Sequence, residues 1–296
     1  MPRLLFTKTG EAVWMSHLDL MRLFQRAFKR AGLPLKHTQG YNPRPSVSIA
    51  LPLSVGVESV CELLDFDLDG EAVSCDAITE RINNALVSGI QVLKTYDNGR
   101  KIKDLALLDC VLTMEYDAGI PADAEEKLLA LFARESLLVE KKGKNGPTQQ
   151  DIIPMIRKLS VTRLDPQVLQ LSARICCQNP SLNPTQLLAA ISLYLPECAP
   201  DHAVCRRLEL FDQNEQIFDK EITMEKIVYD LEECPICRGA GILTHEGGWN
   251  VQVECADCSA HTVFVEYNNE TEKLEAKQKV VTLWNIGKVV RSDVGE

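Results

Sequence analysis

Two hydrophobic periods alternate along the first hundred residues and predict the order strand, helix, two strands, helix, strand. Arg3 to Lys8 reads as a short strand ending at Gly10. From Ser16 to Ala31, Leu20, Leu23, Phe24, Ala27, Phe28 and Ala31 recur at helical spacing, which predicts an amphipathic helix. Ser16 and Asp19 stand as a capping pair at its start, and Gly32 and Pro34 stop it. Val47 to Leu51 and Val60 to Leu68 follow as strands, Cys75 to Leu86 as a helix and Ile90 to Tyr96 as a closing strand.

The same order returns after a polar connection, Asp97 to Asp104. Leu107 to Tyr116 reads as a strand, Ala122 to Ala133 as a helix, Leu137 to Lys141 and Val168 to Cys176 as strands, Pro184 to Tyr194 as a helix and Val204 to Phe211 as the last strand. Pro154 to Val161, between the Leu137 and Val168 strands, is ambiguous. Two β-α-β-β-α-β runs in tandem predict an α+β chain of two ferredoxin-like units, over residues 1–97 and 105–215, each with both helices on one sheet face and an open face opposite. Glu221 to Glu233 reads as a connection with a turn or more of helix. A small zinc-ribbon-like domain is then expected over 230–290, closing in a helix at about Glu272 to Trp284, with Trp249 and Trp284 over its core.

That last assignment rests on four cysteines. Cys234, Cys237, Cys255 and Cys258 form two C-x-x-C pairs with 17 residues between them, the spacing of a four-thiolate zinc site. Two such knuckles complete the closed tetrahedral shell of a structural Zn²⁺ and leave no position for an activated water. Two disulfides or buried free thiols are the other reading. The remaining seven cysteines are odd in number and scattered, which argues for reduced thiols and a cytoplasmic location. The N-terminus turns polar too early for a secretory signal. No stretch approaches the ~20 apolar residues of a membrane helix.

Charge redirects attention to the other end. The net charge is −10, yet residues 1–60 hold eight Lys/Arg against three Asp/Glu, while residues 223–296 hold seven against 13. An acidic zinc module is a poor binder of nucleic-acid backbone, which needs cations. The basic segment concentrates Arg22, Arg26, Lys29 and Arg30 on one third of the first helix, opposite the apolar stripe. A loop offering Lys36, His37, Gln39, Tyr41, Asn42 and Arg44 follows, its path set by Gly40, Pro43 and Pro45. These are groups that hold phosphates and stack on bases, and Arg22, Arg26, Lys29, Arg30, Lys36, Tyr41 and Arg44 are the candidate ligand-binding set. A merely solvated helix face is the alternative. His17 and His37, with Tyr41 or Lys36 assisting, are the candidates for metal-free acid–base chemistry on RNA, although Asp19 beside them has a structural use in the cap. The 50–59 stretch lacks the residues of a phosphate loop, and no C-x-x-x-C-x-x-C is present for an iron–sulfur cluster.

Three strings carry a family resemblance: Ser16-His17-Leu18-Asp19-Leu20-Met21-Arg22, Gln39-Gly40-Tyr41-Asn42-Pro43-Arg44-Pro45, and the 50–59 stretch ending in Val57-Glu58-Ser59. Together they resemble a bacterial domain of unknown function linked to radical SAM enzymes, over residues 3–215. The resemblance implies a radical SAM protein as partner and no known reaction. Residues 234–285 resemble the Lar-type restriction-alleviation zinc modules through Cys234-Pro-x-Cys237-x-Gly239, Trp249-x-Val251, Cys255-x-x-Cys258-x-Ala260 and Trp284-Asn285. Arg238 and Ser259 stand where those modules usually carry glycine, so zinc binding carries over better than restriction alleviation. The expectation is an accessory protein of a radical SAM system that binds RNA or a ribonucleoprotein through its basic N-terminal face and docks through its zinc module. An RNA-processing or RNA-modifying enzyme, and a protein-binding adaptor without nucleic acid, are the competing readings.

Overall fold

In the computed structural model of the chain, the first hundred residues follow the predicted order: β1 (Arg3–Lys8), α1 (His17–Arg30), β2 (Val47–Ile49), β3 (Val57–Phe66), α2 (Cys75–Asn83) and β4 (Ile90–Tyr96). The structure describes residues 1–143, 146–218, 231–246, 249–268 and 270–291. Ser16 caps α1 as its spacing predicts, accepting the Asp19 N–H at 3.3 Å and donating to the Asp19 carboxylate at 2.6 Å. Leu4 and Phe6 of β1, Leu64 and Phe66 of β3 and Ile90 and Val92 of β4 meet Leu20, Phe24 and Phe28 of α1 and Ile78 and Ile82 of α2 in one buried cluster. Each such side chain contributes about 1.5–3 kcal/mol of burial, so the two helices are held to one sheet face by the stripe that the sequence displays.

The second half supplies β5 (Leu105–Glu115), α3 (Ala124–Phe132), β6 (Leu138–Gly143), β7 (Gly146–Asp151), β8 (Ile156–Asp165), β9 (Val168–Cys176), α4 (Thr185–Tyr194) and β10 (His202–Asp212). One expectation is corrected. The strand at Leu137 to Lys141 is not the second strand of this unit; it belongs to an inserted two-stranded hairpin, β6–β7, and the place falls to β8. Register shifts at both ends of the β8–β9 ladder break the alternation by which β8 would otherwise have been read as a strand.

Strand order across the main sheet is β4-β1-β3-β10-β5-β9-β8, with β2 also on β3. Each half therefore has the ferredoxin-like order, β4-β1-β3-β2 and β10-β5-β9-β8, and the two are fused into one eight-stranded sheet. The fusion depends on β2 being short. It covers only Leu64–Phe66 of the β3 edge and is followed closely by Pro52, which has no N–H for a ladder. The Val57–Ser59 part of that edge is left to β10, which pairs there in parallel, while the other strand pairs are antiparallel.

Buried charge sits at this joint. Arg207 of β10 donates to Glu62 of β3 at 3.2 Å and to the carbonyls of Leu51 and Pro52 at 3.4 and 3.1 Å. Lys8 of β1, also buried, donates to the Val13 carbonyl at 2.9 Å. Burial lowers the Lys8 pKa, with Glu62 opposing that shift and Arg207 adding to it. The opposite sheet face is not the open platform expected. Arg3 pairs with Asp65 at 2.5 Å, Arg206 with Glu58, and Arg174 with both Asp109 and Glu215 at 2.7 Å. Phe218 is buried beside Arg3 and Arg100, and Arg100 holds Asp212 at 2.7 Å.

The Gln216 N–H, followed by Arg100, holds the Asp212 carboxyl below the usual carboxylate range. A carboxyl whose pKa is lower in the folded state stabilises the fold above about pH 4, and that contribution disappears as pH falls through the lowered value. Asp212→Asn is therefore expected to flatten the acid limb of stability, measured as the urea midpoint between pH 5 and 2; an unchanged limb would remove Asp212 from the account.

The chain divides into two compact units, residues 1–220 and 221–296. The second contains β11 (Gly241–Glu246), β12 (Asn250–Cys255), β13 (Ala260–His261), β14 (Val265–Glu266), α5 (Glu270–Asn285) and β15 (Val290–Arg291). Val251 and Val253 of β12 pack with Ala276, Val280, Val281 and Trp284 of α5. Trp284 is 1% exposed, with its indole against Gly241, where an added Cβ would stand 2.8 Å from the ring. Trp249 is 66% exposed, so only one of the two tryptophans expected in this core is there. Most of the connection expected from Glu221 to Glu233, and Gly248, lie outside the described residues. Among the described residues no helix is long and apolar enough to cross a membrane.

Candidate functional site

The four sulfurs of Cys234, Cys237, Cys255 and Cys258 lie within 4.8 Å of one another. Cys234 and Cys258 are 3.7 Å apart and Cys237 and Cys255 3.4 Å apart, each contact joining one knuckle to the other. A tetrahedron with metal–sulfur bonds of about 2.3 Å has sulfur–sulfur edges of about 3.8 Å, so the quartet has the size of a four-thiolate metal site. A disulfide needs sulfurs about 2.05 Å apart, and all four thiols are free.

Local turns aim the sulfurs inward. Arg238 N–H donates to the Cys234 carbonyl at 2.9 Å, and Ser259 N–H to the Cys255 carbonyl at 3.2 Å. The residue after each pair, Arg238 at φ 66° and Ser259 at φ 56°, is in the left-handed region. These are the two positions where the resembled modules carry glycine, and the backbone needs there the conformation that glycine adopts without strain. Cys234 and Cys255 also belong to the buried core, which couples ligand placement to packing.

Charge within the quartet points to a cation as well. Burial pushes the Cys234 thiol up, but the N–H groups of Cys237 and Ile236 and the thiols of Cys255 and Cys258 outweigh it and bring it to about 7. For Cys237 the Gly239 N–H works downward, while Cys258 and Cys255 drive it up to about 12. The protein groups alone thus favour one thiolate and disfavour the next. A divalent cation supplies the charge that lets all four ionise, and its binding releases protons.

In the first unit, every residue of the candidate ligand-binding set is exposed: Arg22, Arg26, Lys29 and Arg30 on α1, then Lys36, Tyr41 and Arg44 in the loop. Their partners differ. Arg22 pairs with Asp19 at 3.1 Å, and Arg30 donates to the Ala85 carbonyl after α2. Arg26, Lys29, Lys36 and Arg44 make no ion pair among the described residues. The loop is an ordered finger. Ser46 N–H donates to the Lys36 carbonyl at 2.7 Å, Thr38 N–H to the Arg44 carbonyl at 2.8 Å, and Arg44 N–H to Thr38 Oγ1 at 3.0 Å. Tyr41 stands at the tip, 107% exposed.

His17, His37 and Tyr41 are not hydrogen-bonded to one another. His37 pairs backbone with Pro45 in the finger stem, and His17 begins α1 with Nδ1 buried and without a partner. The three candidates thus stand on two elements, His17 on α1 and His37 and Tyr41 in the finger. Two surface residues escaped the sequence reading: Trp14, 72% exposed in the turn before α1, and Leu18, exposed in its first turn. The signal was available for Leu18. It lies four residues before Arg22, on the charged side of the helix rather than the apolar one.

A family described as "Uncharacterized protein conserved in bacteria (DUF2344)" matches residues 2–184. No curated protein matches the chain. Among solved structures, a chain titled "Crystal Structure of a Cbf5-Nop10-Gar1 Complex" is 10% identical at a TM-score of 0.40, over 71% of this chain and 48% of that one. This chain thus spans about half of that relative's length. "Crystal Structure of an Unknown Protein from Galdieria sulphuraria" is 10% identical at a TM-score of 0.21, over 70% of this chain and 96% of that one. Likenesses this distant carry no argument about activity.

Proposed function

We propose that this chain, which belongs to that family of uncharacterized proteins conserved in bacteria, binds RNA through α1 and the 36–46 finger and acts as an accessory protein. The observation that carries the reading is four cations, Arg26, Lys29, Lys36 and Arg44, left without ion-pair partners among the described residues, on one helix and the finger that bears a fully exposed tyrosine, in a chain whose net charge is −10. An acidic protein that keeps unpaired positive charge on one helix and the adjoining loop has a surface suited to an anionic polymer.

The cysteine quartet holds a structural zinc in this reading. Four thiolates complete the shell, so the ion stabilises the 231–291 module and does no chemistry on a substrate. The module is acidic and serves for docking to protein. The resemblance to the radical SAM-linked domain supports a radical SAM enzyme as the recipient of the bound RNA or ribonucleoprotein, in the cytoplasm. Capture of the native protein before and after ribonuclease treatment tests that partnership; a recipient that stays bound after ribonuclease supports direct docking.

The surface itself is tested by changing Arg22, Arg26, Lys29 and Arg44 together to Ala. If all four contact phosphate, the slope of log affinity against log salt falls by about 3 in magnitude on single-stranded RNA. An unchanged slope and affinity would move the interface elsewhere. Circular dichroism of the variant should match the parent, since all four side chains are exposed.

A further inference from the structure

We infer that the RNA taken by this face is unpaired, and that Tyr41 and Trp14 are the platforms on which its bases stack; this rests on the RNA-binding reading above. Tyr41 is the more exposed of the two, at the tip of a finger whose stem is pinned by three hydrogen bonds. An aromatic ring held fully in water on an ordered support gains no burial within its own fold. Trp14 is similarly placed. Its turn is closed by Met15 N–H on the Ala12 carbonyl at 3.0 Å and Gly56 N–H on the Val13 carbonyl at 2.9 Å. The edge of its ring lies beside Gly56, and most of the indole faces water.

Between these two aromatics in sequence runs α1, about 21 Å long. At 100° per residue, Leu18, Arg22, Arg26, Lys29 and Arg30 fall within an arc of about 120°, so charged and apolar groups share one stripe. Cations spaced along a helix side track a phosphate chain, and flat rings take base faces, which is the combination that single strands use. A duplex would leave both rings without a partner, because paired bases keep their faces in the stack. The sheet face opposite the helices, on which some ferredoxin-like RNA-binding domains stack bases, is occupied here by the Arg3–Asp65, Arg206–Glu58 and Arg174–Asp109 pairs. Stacking groups must therefore come from the helix side and its loops.

The test uses the full zinc-loaded chain and three probes: a short unstructured RNA strand, the same strand annealed to its complement, and polyglutamate. The single strand is expected to bind at least tenfold more tightly than the duplex. Tyr41→Ala should weaken it about 5- to 150-fold, the range for losing one stacked base, while Tyr41→Phe keeps most of the affinity. In a Trp249→Phe background, where Trp284 is buried, RNA should quench the emission of Trp14. Equal affinity for strand and duplex, with Tyr41→Ala harmless and Trp14 emission unmoved, would overturn the stacking inference. If the four-cation variant still lost affinity in that case, the RNA-binding reading would stand. Absence of binding to either RNA, or polyglutamate binding as tightly as the strand, would overturn both.

Discussion

With zinc held by the cysteine quartet as proposed, stripping it from the full chain is expected to unfold residues 231–291 and leave the first unit's sheet intact. Zinc in a four-thiolate site supplies about 10–16 kcal/mol toward folding, more than a core as small as this one can replace. The core consists chiefly of Val251, Val253, Ala276, Val280, Val281 and Trp284, and two ligands, Cys234 and Cys255, are part of it. Loss of the ion removes the charge that allows four thiolates to lie within 4.8 Å, so the knuckles separate and the adjoining core opens. Trp284 reports the event because it is 1% exposed when folded and sits against Gly241. A chelator should shift its emission to the red and make the module sensitive to protease, and Cys255→Ser should do the same without chelator. The first unit should keep its own cooperative unfolding transition. A chelator that melts the whole chain together would show that the two units are not independent in stability, and an unshifted Trp284 would show that the quartet does not hold the module.

The second large effect is expected at the joint of the two ferredoxin-like halves. Arg207→Met should destabilise the first unit by about 3–5 kcal/mol, because it leaves the Glu62 carboxylate buried without its guanidinium partner. Glu62 has one oxygen on Arg207 at 3.2 Å and the other buried without a hydrogen bond, so without Arg207 its charge is left only to the field of the buried Lys8 ammonium. The Leu51 and Pro52 carbonyls lose donors in the same substitution. Glu62→Leu combined with Arg207→Met should cost less than the two single changes added together, since neither the carboxylate nor the guanidinium is then left buried without the other. Urea unfolding of the three variants measures this. Strict additivity would show that the ion pair does not couple β3 to β10.

How much of this was legible depends on the distance over which each feature is decided. The α1 stripe was readable because Leu20, Phe24, Ala27 and Phe28 lie within two turns of one another, and a helix has only one way to place them. The cysteine quartet was readable for the same reason, as each C-x-x-C closes its own turn. The tandem ferredoxin-like order also came through, because the periods of successive elements repeat. By contrast, the partition of 137–165 was misread. A hairpin strand of an insertion and a ladder strand of the main sheet look alike until their partners are known, and the β8 register shifts obscured the alternation further.

Residue type and spacing were enough to determine the element order of the first hundred residues, the fold class, the cysteine quartet and the bias of positive charge toward residues 1–60. Only the tertiary structure decided which charges meet and which face water. Arg207 and Glu62 are 145 residues apart in sequence and 3.2 Å apart in the sheet. Trp249 and Trp284 are the same residue type in the same module, one exposed and one buried. The physical reason is common to both cases. Local spacing limits the backbone to a few conformations, but burial, pairing and the desolvation that sets their energy depend on neighbours brought in by strand pairing and helix packing.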